Sequence, residues 1–499
     1  MDVGTKSFFR MSKAFILSVT LLFSVQGCAL VAQQLSLPEN LRKGSGCAMV
    51  ISTRDAERCI TANNHSSPIP KLDSSHVYTL AELIDIAETA NPEGRIAWAE
   101  AKAALERAGI ARSSYLPLLT FVAEGSDERA IVPFPEPIAP RGYVTVEAPT
   151  AAAQLQLQYS LLNFRRGPEL DSGRALELAS ALRLARVHQT IAHDTAVQFY
   201  QAQEAVAQLV AAQTILKTAE TVENSAKEQY ANGRATLPDV QNAEAGAAEA
   251  RYDLASAEGE VKKRNLTLTE TIGVEPTTEV TIVPQDSNAP ETFEDSVEEF
   301  IESAKRVRPD LIAYSREVKH NHDLYRAARA TYLPTVGVSA SGGQTSVWPS
   351  ADFGVLGHAS VSTWSAKAEL KWNIFDGARS HQVAEAVAEE KASVERQRAA
   401  EDAATRQVWG AYVDYRTAIE QERASQTFLE SAQTSYDSSL DAFGYGVRNL
   451  VDVVQAEKQL AQARFTVVRA RARRQQSEIE LSYSTGDLLS GGSRSGVRP

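Results

Sequence analysis

The chain carries one plan twice. The stretch "YANGRATLPDVQNAE" (Tyr230–Glu244) returns as "GYGVRNLVDVVQAE" (Gly444–Glu457), each with an Asp six residues after a Gly. Gly233 and Gly446, Leu237 and Leu450, Asp239 and Asp452, and Glu244 and Glu457 all lie 213 residues apart. Arg251 with Arg464, and Gly273 in "TIGV" with Gly486 in "STGD", keep that spacing. Upstream, "ARSSYLPLLTF" (Ala111–Phe121) matches "ARATYLPTVGV" (Ala328–Val338); Tyr115 and Tyr332 are 217 apart, as are Pro92 and Pro309. A repeat this long is a duplicated structural unit, not a short solenoid period. The copies are assigned to residues 79–290 and 291–490.

Each copy opens with a helix, "TLAELIDIAETANPEGRIAWAEAKAALERAGIARSS" in the first. Thr79 and Glu82 have the spacing of a capping box, and Pro92 is expected to kink or divide the helix. Tyr-Leu-Pro then breaks it and a strand begins. The next strand has the clearest periodicity in the chain. Leu155, Leu157, Tyr159 and Leu161 alternate with Gln154, Gln156, Gln158 and Ser160. In the second copy Ala366, Ala368, Leu370, Trp372 and Ile374 alternate with Lys367, Glu369, Lys371 and Asn373. Period two puts the apolar residues on one face. A sheet packed on a soluble core would alternate too. Here the polar face is wholly polar and the apolar side ends in Tyr or Trp, which suits a barrel strand with lipid outside and water inside. The polar stretches Glu124–Ala152 and Gly342–Ser365 are expected to be long loops on one side of that barrel.

Two helical segments follow in each copy: about Pro168 to Tyr230 and Pro238 to Thr271, then Arg379 to Phe443 and Leu450 to Ser484. At ~1.5 Å per residue the first of each pair spans roughly 95 Å. Such helices cannot be buried in one compact globule, so they must pair lengthwise as coiled coils or an extended bundle. Alanine-rich faces permit close approach. The spacing of Val383, Val387 and Val394 is irregular, so a simple two-stranded coil is not expected.

The N-terminus points to export. Lys6, Arg10 and Lys13 precede the apolar run "AFILSVTLLFSV", and "VQGC" follows. Residues 1–27 therefore read as a signal peptide, with Met11 as an alternative start. Gly27 before Cys28 resembles a bacterial lipoprotein box, while Gln26 fits it poorly. Lipidation of Cys28 and ordinary cleavage nearby both stand open. If Cys28 carries lipid, Cys47 and Cys59 remain as a pair in an oxidising compartment, where a disulfide is plausible. Residues 28–78 form an N-terminal extension and 491–499 a disordered tail. No later run approaches the roughly eighteen apolar residues of a transmembrane helix, which leaves a soluble, lipid-anchored or β-barrel protein.

Chemistry is sparse. A net charge of −12 argues against a nucleic-acid partner. There is no HExxH, P-loop or CxxC, and "GYGVRN" lacks the third Gly of a dinucleotide loop. His320 and His322 are two apart and do not share a helical face. Three Met and three Cys give no basis for a soft-metal relay. No enzyme, metal site or cofactor is expected. The "RARARR" run (Arg469–Arg474) reads as a solvated helix face.

Four strands cannot close a barrel, since small closed barrels need about eight, and an open sheet in lipid would leave unsatisfied edges. The barrel must be shared: two chains give eight strands, three give twelve. Here the chain resembles the TolC-like outer-membrane efflux protein family, over about residues 78–490. The export signal, the helix–strand–strand–helix–helix order, both "YLP" motifs, "IFDGAR" (Ile374–Arg379) and the two "G-x-x-x-L-x-D-V" turns carry the likeness; "LLNFRRG" in the first copy departs from it. The resemblance implies an α+β, mainly α-helical fold. It also implies a homotrimer with a 12-stranded β-barrel in outer-membrane lipid and an α-helical barrel reaching into the periplasm. Such a duct docks with a periplasmic adaptor protein and an inner-membrane transporter and is not itself an enzyme. The rival reading, an exported coiled-coil scaffold without a pore, explains the helices but not the duplicated strands.

The resemblance also assigns the turns. Gly233 and Gly446 reverse the two helical hairpins at the periplasmic end, with glycine suited to the left-handed helix end. The family's aperture positions fall on Asp239, Phe443, Arg448, Asp452 and Gln455. In a trimer Asp452 forms a ring of three carboxylates that favours cations, and Arg448 pairs with Asp239 to hold the tip shut. Phe443 lacks a phenol and Gln455 lacks a charge, so the latch has fewer polar links than its relatives. The plainer alternative leaves Arg448 and Asp452 as solvated charges, Asp452 favouring its helix N-terminus.

Overall fold

The computed structural model describes residues 72–73, 76–133, 139–283, 296–445 and 447–488. Residues 1–27, Cys28, Cys47, Cys59, Gly446 and the tail 491–499 lie outside the described residues.

The chain begins with β1 (Val77–Tyr78), α1 (Leu80–Ala90) and α2 (Pro92–Ser113). The Thr79–Glu82 capping box forms as its spacing predicts. Pro92 divides the helix: Asn91 ends α1 and its side chain caps α2 by accepting from the Glu93 N–H at 2.8 Å. The order continues with β2 (Leu118–Pro133), β3 (Tyr143–Leu162), α3 (Arg166–Ala231), α4 (Leu237–Ile272) and β4 (Thr281–Ile282), which pairs in parallel with β1. A second series then follows: α5 (Val297–Val307), α6 (Pro309–Ala330), β5 (Thr335–Val347), the short β6 (Ser350–Ala351) and β7 (Gly354–Val355), β8 (Ala359–Lys371), α7 (Gly377–Gly444) and α8 (Leu450–Thr485). The protein is mainly α-helical with one large sheet, and no described helix is long and apolar enough to cross a membrane.

The long strands form an antiparallel sheet in the order β2–β3–β5–β8. Its register sorts side chains by face. Phe121, Leu155, Gly342 and Trp364 form one row across the sheet, and Leu119, Leu157, Ala340 and Ala366 the next row on that face. Between them, on the other face, run Thr120, Gln156, Ser341 and Ser365. The apolar face is the open one: Phe121 is 66% exposed, Leu155 51% and Trp364 82%.

Three strand expectations need correction. Most of Glu124–Ala152 and the outer parts of Gly342–Ser365 are strand rather than loop. Pairing is unbroken from Leu118–Gln158 to Pro133–Tyr143, and β5 and β8 reach Val347 and Ala359. Backbone pairing does not require apolar side chains, and polar ones, such as the Arg129–Glu147 cross-strand pair, sit well on a solvated sheet extension. Leu161 falls in a bulge between Ser160 and Leu162, out of the alternation. Trp372 and Ile374 lie past the end of β8, and the Trp372 indole donates to the Tyr332 carbonyl at 3.1 Å.

Buried arginines anchor the strands to the helices. Arg166, in the first turn of α3, lies over the rings of Tyr115 and Tyr159 and donates to the Ser160 carbonyl. Its counterpart 213 residues on, Arg379, lies over Tyr332 at 4.8 Å and donates to the Asn373 carbonyl at 2.8 Å. Each "YLP" tyrosine thus roofs the arginine that ties a strand end to a long helix, a cation–π contact made by a buried guanidinium. "LLNFRRG" keeps this arginine despite its altered wording.

At about 1.5 Å per residue, α3 and α7 are each roughly 100 Å long. Along α8 the buried positions Val453, Ala456, Leu460, Ala463, Val467 and Ala470 step by three and four, and Arg474, Ser477, Leu481 and Ser484 continue the pattern. On α7 the matching stripe includes Ala404, Val408, Ala411, Tyr415 and Ala418 and later Ala432, Tyr436 and Ser439. This is a coiled-coil seam within a larger bundle, since Val222, Ala226 and Ala243 of α3 and α4 join the same cluster; Val383, Val387 and Val394 precede its buried stretch. Nor is the whole arginine run solvated. Arg474 is buried in the seam, bonded to Glu422 of α7 at 2.7 Å and to Glu478 at 2.9 Å, and Arg471 approaches Glu422 at 3.7 Å.

The far end of α8 is fastened by side chains. Its last carbonyls need partners. Arg186 takes Tyr483 O at 3.0 Å, Arg308 takes Ser484 O at 3.1 Å and Gln189 takes Gly486 O at 2.9 Å. Two of the three donors are cations at a helix C-terminus, where the dipole favours them. His193 of α3 bridges Asp194 and Glu480 at 2.8 Å each and packs on Tyr483. Burial alone would lower its pKa, but the hydrogen bonds and charges of Asp194 and Glu480 outweigh burial and raise it to about 9.

Two predictions follow from this end. Gly486 has a left-handed φ of +84°, and a Cβ there would lie 2.9 Å from Arg308 Cγ and 3.1 Å from its Cα. Gly486→Val should cost about 1–3 kcal/mol, read from urea unfolding of the helical circular dichroism signal; Gly259→Ala, in open space on α4, should be neutral or slightly stabilising. Protonated His193 contributes stability that is full below its ordinary pKa of 6.5 and is lost as pH rises through about 9. Melting temperature should fall over that window in the native protein and much less in His193→Gln.

Candidate functional site: the hairpin tips and the exposed strand face

The tips are built by the same local rules in both copies. In the first, Gly233 has a left-handed φ of +70° and the Arg234 N–H closes on the Gln229 carbonyl at 2.8 Å. In the second, the Val447 N–H closes on the Ala442 carbonyl at 2.9 Å, between residues each 213 further on. Both bonds cap the last open carbonyls of a long helix. The return helices start with side-chain caps. Thr236 and Asp239 form a reciprocal box, Asp239 accepting from Thr236 N and Oγ1 at 2.8 and 2.6 Å. These bonds hold the Asp239 carboxyl below its usual range. On α8, Asn449 accepts from the Asp452 N–H at 2.9 Å.

The five aperture candidates are not gathered into one cluster within the chain. Asp239 and Gln455 line a shared cleft of about 260 Å³ between α4 and α8, with Asn242, Gly246, Val451 and Lys458. Across that cleft Lys458 pairs with Glu249 at 3.2 Å and joins the two return helices. Arg448 turns instead to Ser439 Oγ at 3.3 Å, and Asp239 to Thr236. Asp452 is half-buried in the first turn of α8. Phe443 is half-buried against the tip core of Val222, Ala226, Tyr436, Leu450 and Val453.

The sequence reading overlooked Tyr445. It is 86% exposed at the turn, next to Val447 at 79%. Its signal was its place in "GYG", where the helix ends and no hairpin wall can cover a side chain. At the opposite end of the helices, Tyr115, Leu116, Tyr332, Leu333, Ile374 and Phe375 stand exposed where strands meet helices. With the open apolar strand face, they form a band that water would not stabilise. His320 and His322 go separate ways, to Ser172 and Glu390.

Known proteins share this arrangement. The profile of the outer membrane efflux protein family matches residues 83–274 and 300–487. Protein CyaE of Bordetella pertussis is 28% identical over 440 residues, 84% of this chain and 86% of that protein. Among solved structures, a membrane protein from Pseudomonas aeruginosa superposes with a TM-score of 0.69 at 21% identity, over 85% of this chain and 97% of that one. The CmeC outer membrane channel of Campylobacter jejuni does so at 0.69 and 16%, over 86% and 92%. The open-state MtrE outer membrane channel of Neisseria gonorrhoeae does so at 0.66 and 19%, over 85% and 95%. With its profile matched in two blocks over well over half of its length, the chain belongs to the outer membrane efflux protein family.

Proposed function

We propose that this outer membrane efflux protein acts as a homotrimeric exit duct, gated at its hairpin tips. One observation carries the assembly: the four long strands of the sheet end in two long edges, β2 with 16 residues and β8 with 13, that are bare among the described residues, and the exposed face is apolar. Lipid offers no hydrogen bonds, so the β8 edge of one chain must pair with the β2 edge of another. Two chains would give eight strands, whose interior side chains fill. Three give twelve and leave a lumen lined by the polar rows of Thr120, Gln156, Ser341 and Ser365. The strands then span the outer membrane, and the 100 Å helices extend into the periplasm as a second barrel. Residues 79–290 and 291–490 act as duplicated units that alternate around the axis. A scaffold without a pore would have no use for an apolar strand face open to its surroundings.

In this reading the tips form the periplasmic aperture, where an adaptor protein and an inner-membrane transporter deliver cargo. Asp452 supplies a three-carboxylate ring that favours cations. Within the chain Arg448 and Asp239 bond to Ser439 and Thr236, so the Arg448–Asp239 latch is a contact between neighbouring chains. Tyr445 supplies at the rim the phenol that Phe443 lacks. Lipid on Cys28 would tether the N-terminal extension to the membrane.

The assembly predicts a trimer mass in detergent and heat-modifiable migration from outer-membrane fractions; a monomer would refute it. Arg448→Ala or Asp239→Ala should raise single-channel conductance in planar bilayers, and unchanged conductance in both removes the latch. Deleting the gene should leave its cargo inside the cell.

A further inference from the structure

The spacing that matches the two tips also shows where they differ. In the first copy Glu244 of α4 pairs with Lys227 of α3 at 3.2 Å, and Lys227 pairs with Glu223 at 2.5 Å. Arg251 adds Glu220 and Glu223 at 3.5 Å each. The second copy keeps the carboxylate as Glu457. It carries Leu440 where the first has Lys227, Tyr436 where it has Glu223 and Gln433 where it has Glu220. Arg464, the counterpart of Arg251, bonds to Gln433 at 3.2 Å. Glu457 has therefore lost the lysine that neutralises Glu244.

The surroundings do not replace that cation. On α7 stands Tyr436, buried, its phenol proton held more tightly by burial and then by Glu457 and Asp437. On α8, Lys458 is the one charge that acts on Glu457 among the described residues, and its ammonium is bonded to Glu249 of α4. The neighbouring parts of α3 and α4 add Val222, Ala226 and Ala243 to an apolar cluster that includes Tyr436, Leu450, Val453 and Ala456. Burial pushes Glu457 up to about 7, and Lys458 offsets only part of that.

We propose that the second-copy tip is a proton-operated latch: Glu457, deprived of the lysine its counterpart has, loosens the α7–α8 tip when it ionises and lets it close when protonated. The first-copy tip, with Glu244 bridged to Lys227, is the internal comparison. The sign follows from linkage. A carboxyl raised in the folded hairpin favours pairing fully below its ordinary value of 4.5, and that favour is lost as pH rises through about 7. The latch does not depend on the duct reading; its effect on flow does.

The test is amide hydrogen exchange on the full-length protein in detergent at about pH 5.5 and about pH 8, corrected for intrinsic exchange rates. Residues 450–460 should lose about tenfold protection at the higher pH, the equivalent of one pKa unit after allowance for solvent screening, while residues 237–247 should not change. Glu457→Gln should abolish the difference by removing the charge, and Leu440→Lys by restoring the bridge. Equal protection of 450–460 at both pH values, or a difference that survives in Glu457→Gln, overturns the latch. Conductance of the same proteins in bilayers reads the duct separately. It should rise with pH in the native protein and stay flat in Glu457→Gln, whereas no conductance at any pH refutes the duct and leaves the exchange result standing.

Discussion

Everything in this molecule answers to the unpaired backbone at the two edges of its sheet. Along β2 and β8 the N–H and C=O groups that point away from the sheet have no strand partner among the described residues, and one face of both strands carries exposed apolar side chains such as Phe121 and Trp364. In water those groups would be solvated at little cost. In lipid each would cost several kcal/mol. That cost is the physical ground for the proposed shared barrel, in which another copy completes the sheet. The helices inherit that arrangement through Arg166 and Arg379, which lock strand ends to the first turns of α3 and α7.

The helical part faces a different constraint. Paired helices of this length can slide by a heptad with little change in apolar contact, because alanine repeats so often along them. The Arg474–Glu422 layer in the α7–α8 seam resists sliding. Displacing it would strand a buried charge, which costs far more than the pair contributes in place. Polar seam positions are known to set register in this way. The C-terminal fastening of α8 by Arg186, Arg308 and Gln189 fixes the same helix at its other end. At the tip the two copies diverge in charge.

Much of this was legible in the residues. Local chemistry predicts local structure, and so Thr79–Glu82, Pro92, Gly233 and the return-helix starts behave as their types require. Alternation located the strands, since period two is a property of the extended backbone. Strand length was not legible: polar residues on β2 and β3 pair as well as apolar ones, and only the partner strand shows it. The seam was hidden for the converse reason, because Arg474 and Ser477 occupy buried positions that pattern reading reserves for apolar residues. Of the site residues, the turn glycine Gly233 and the acids Asp239 and Asp452 lie at the hairpin tips. Phe443 proved to be part of the tip core, and Tyr445 took the exposed place.

From the residues alone came the spacing of the two matching halves, the order of elements and the amphipathic strand faces, because these depend on neighbours within a few residues or on a spacing that can be counted. The packing shows which side chains meet across 31 residues, as Arg464 and Gln433 do, or across 297, as Arg186 and Tyr483 do. It bridged Glu244 to Lys227, left Glu457 beside Lys458 whose ammonium is bonded to Glu249, opened the apolar strand face and, among the described residues, left the sheet edges bare. Those outcomes depend on which helix lies against which, and no local periodicity encodes that.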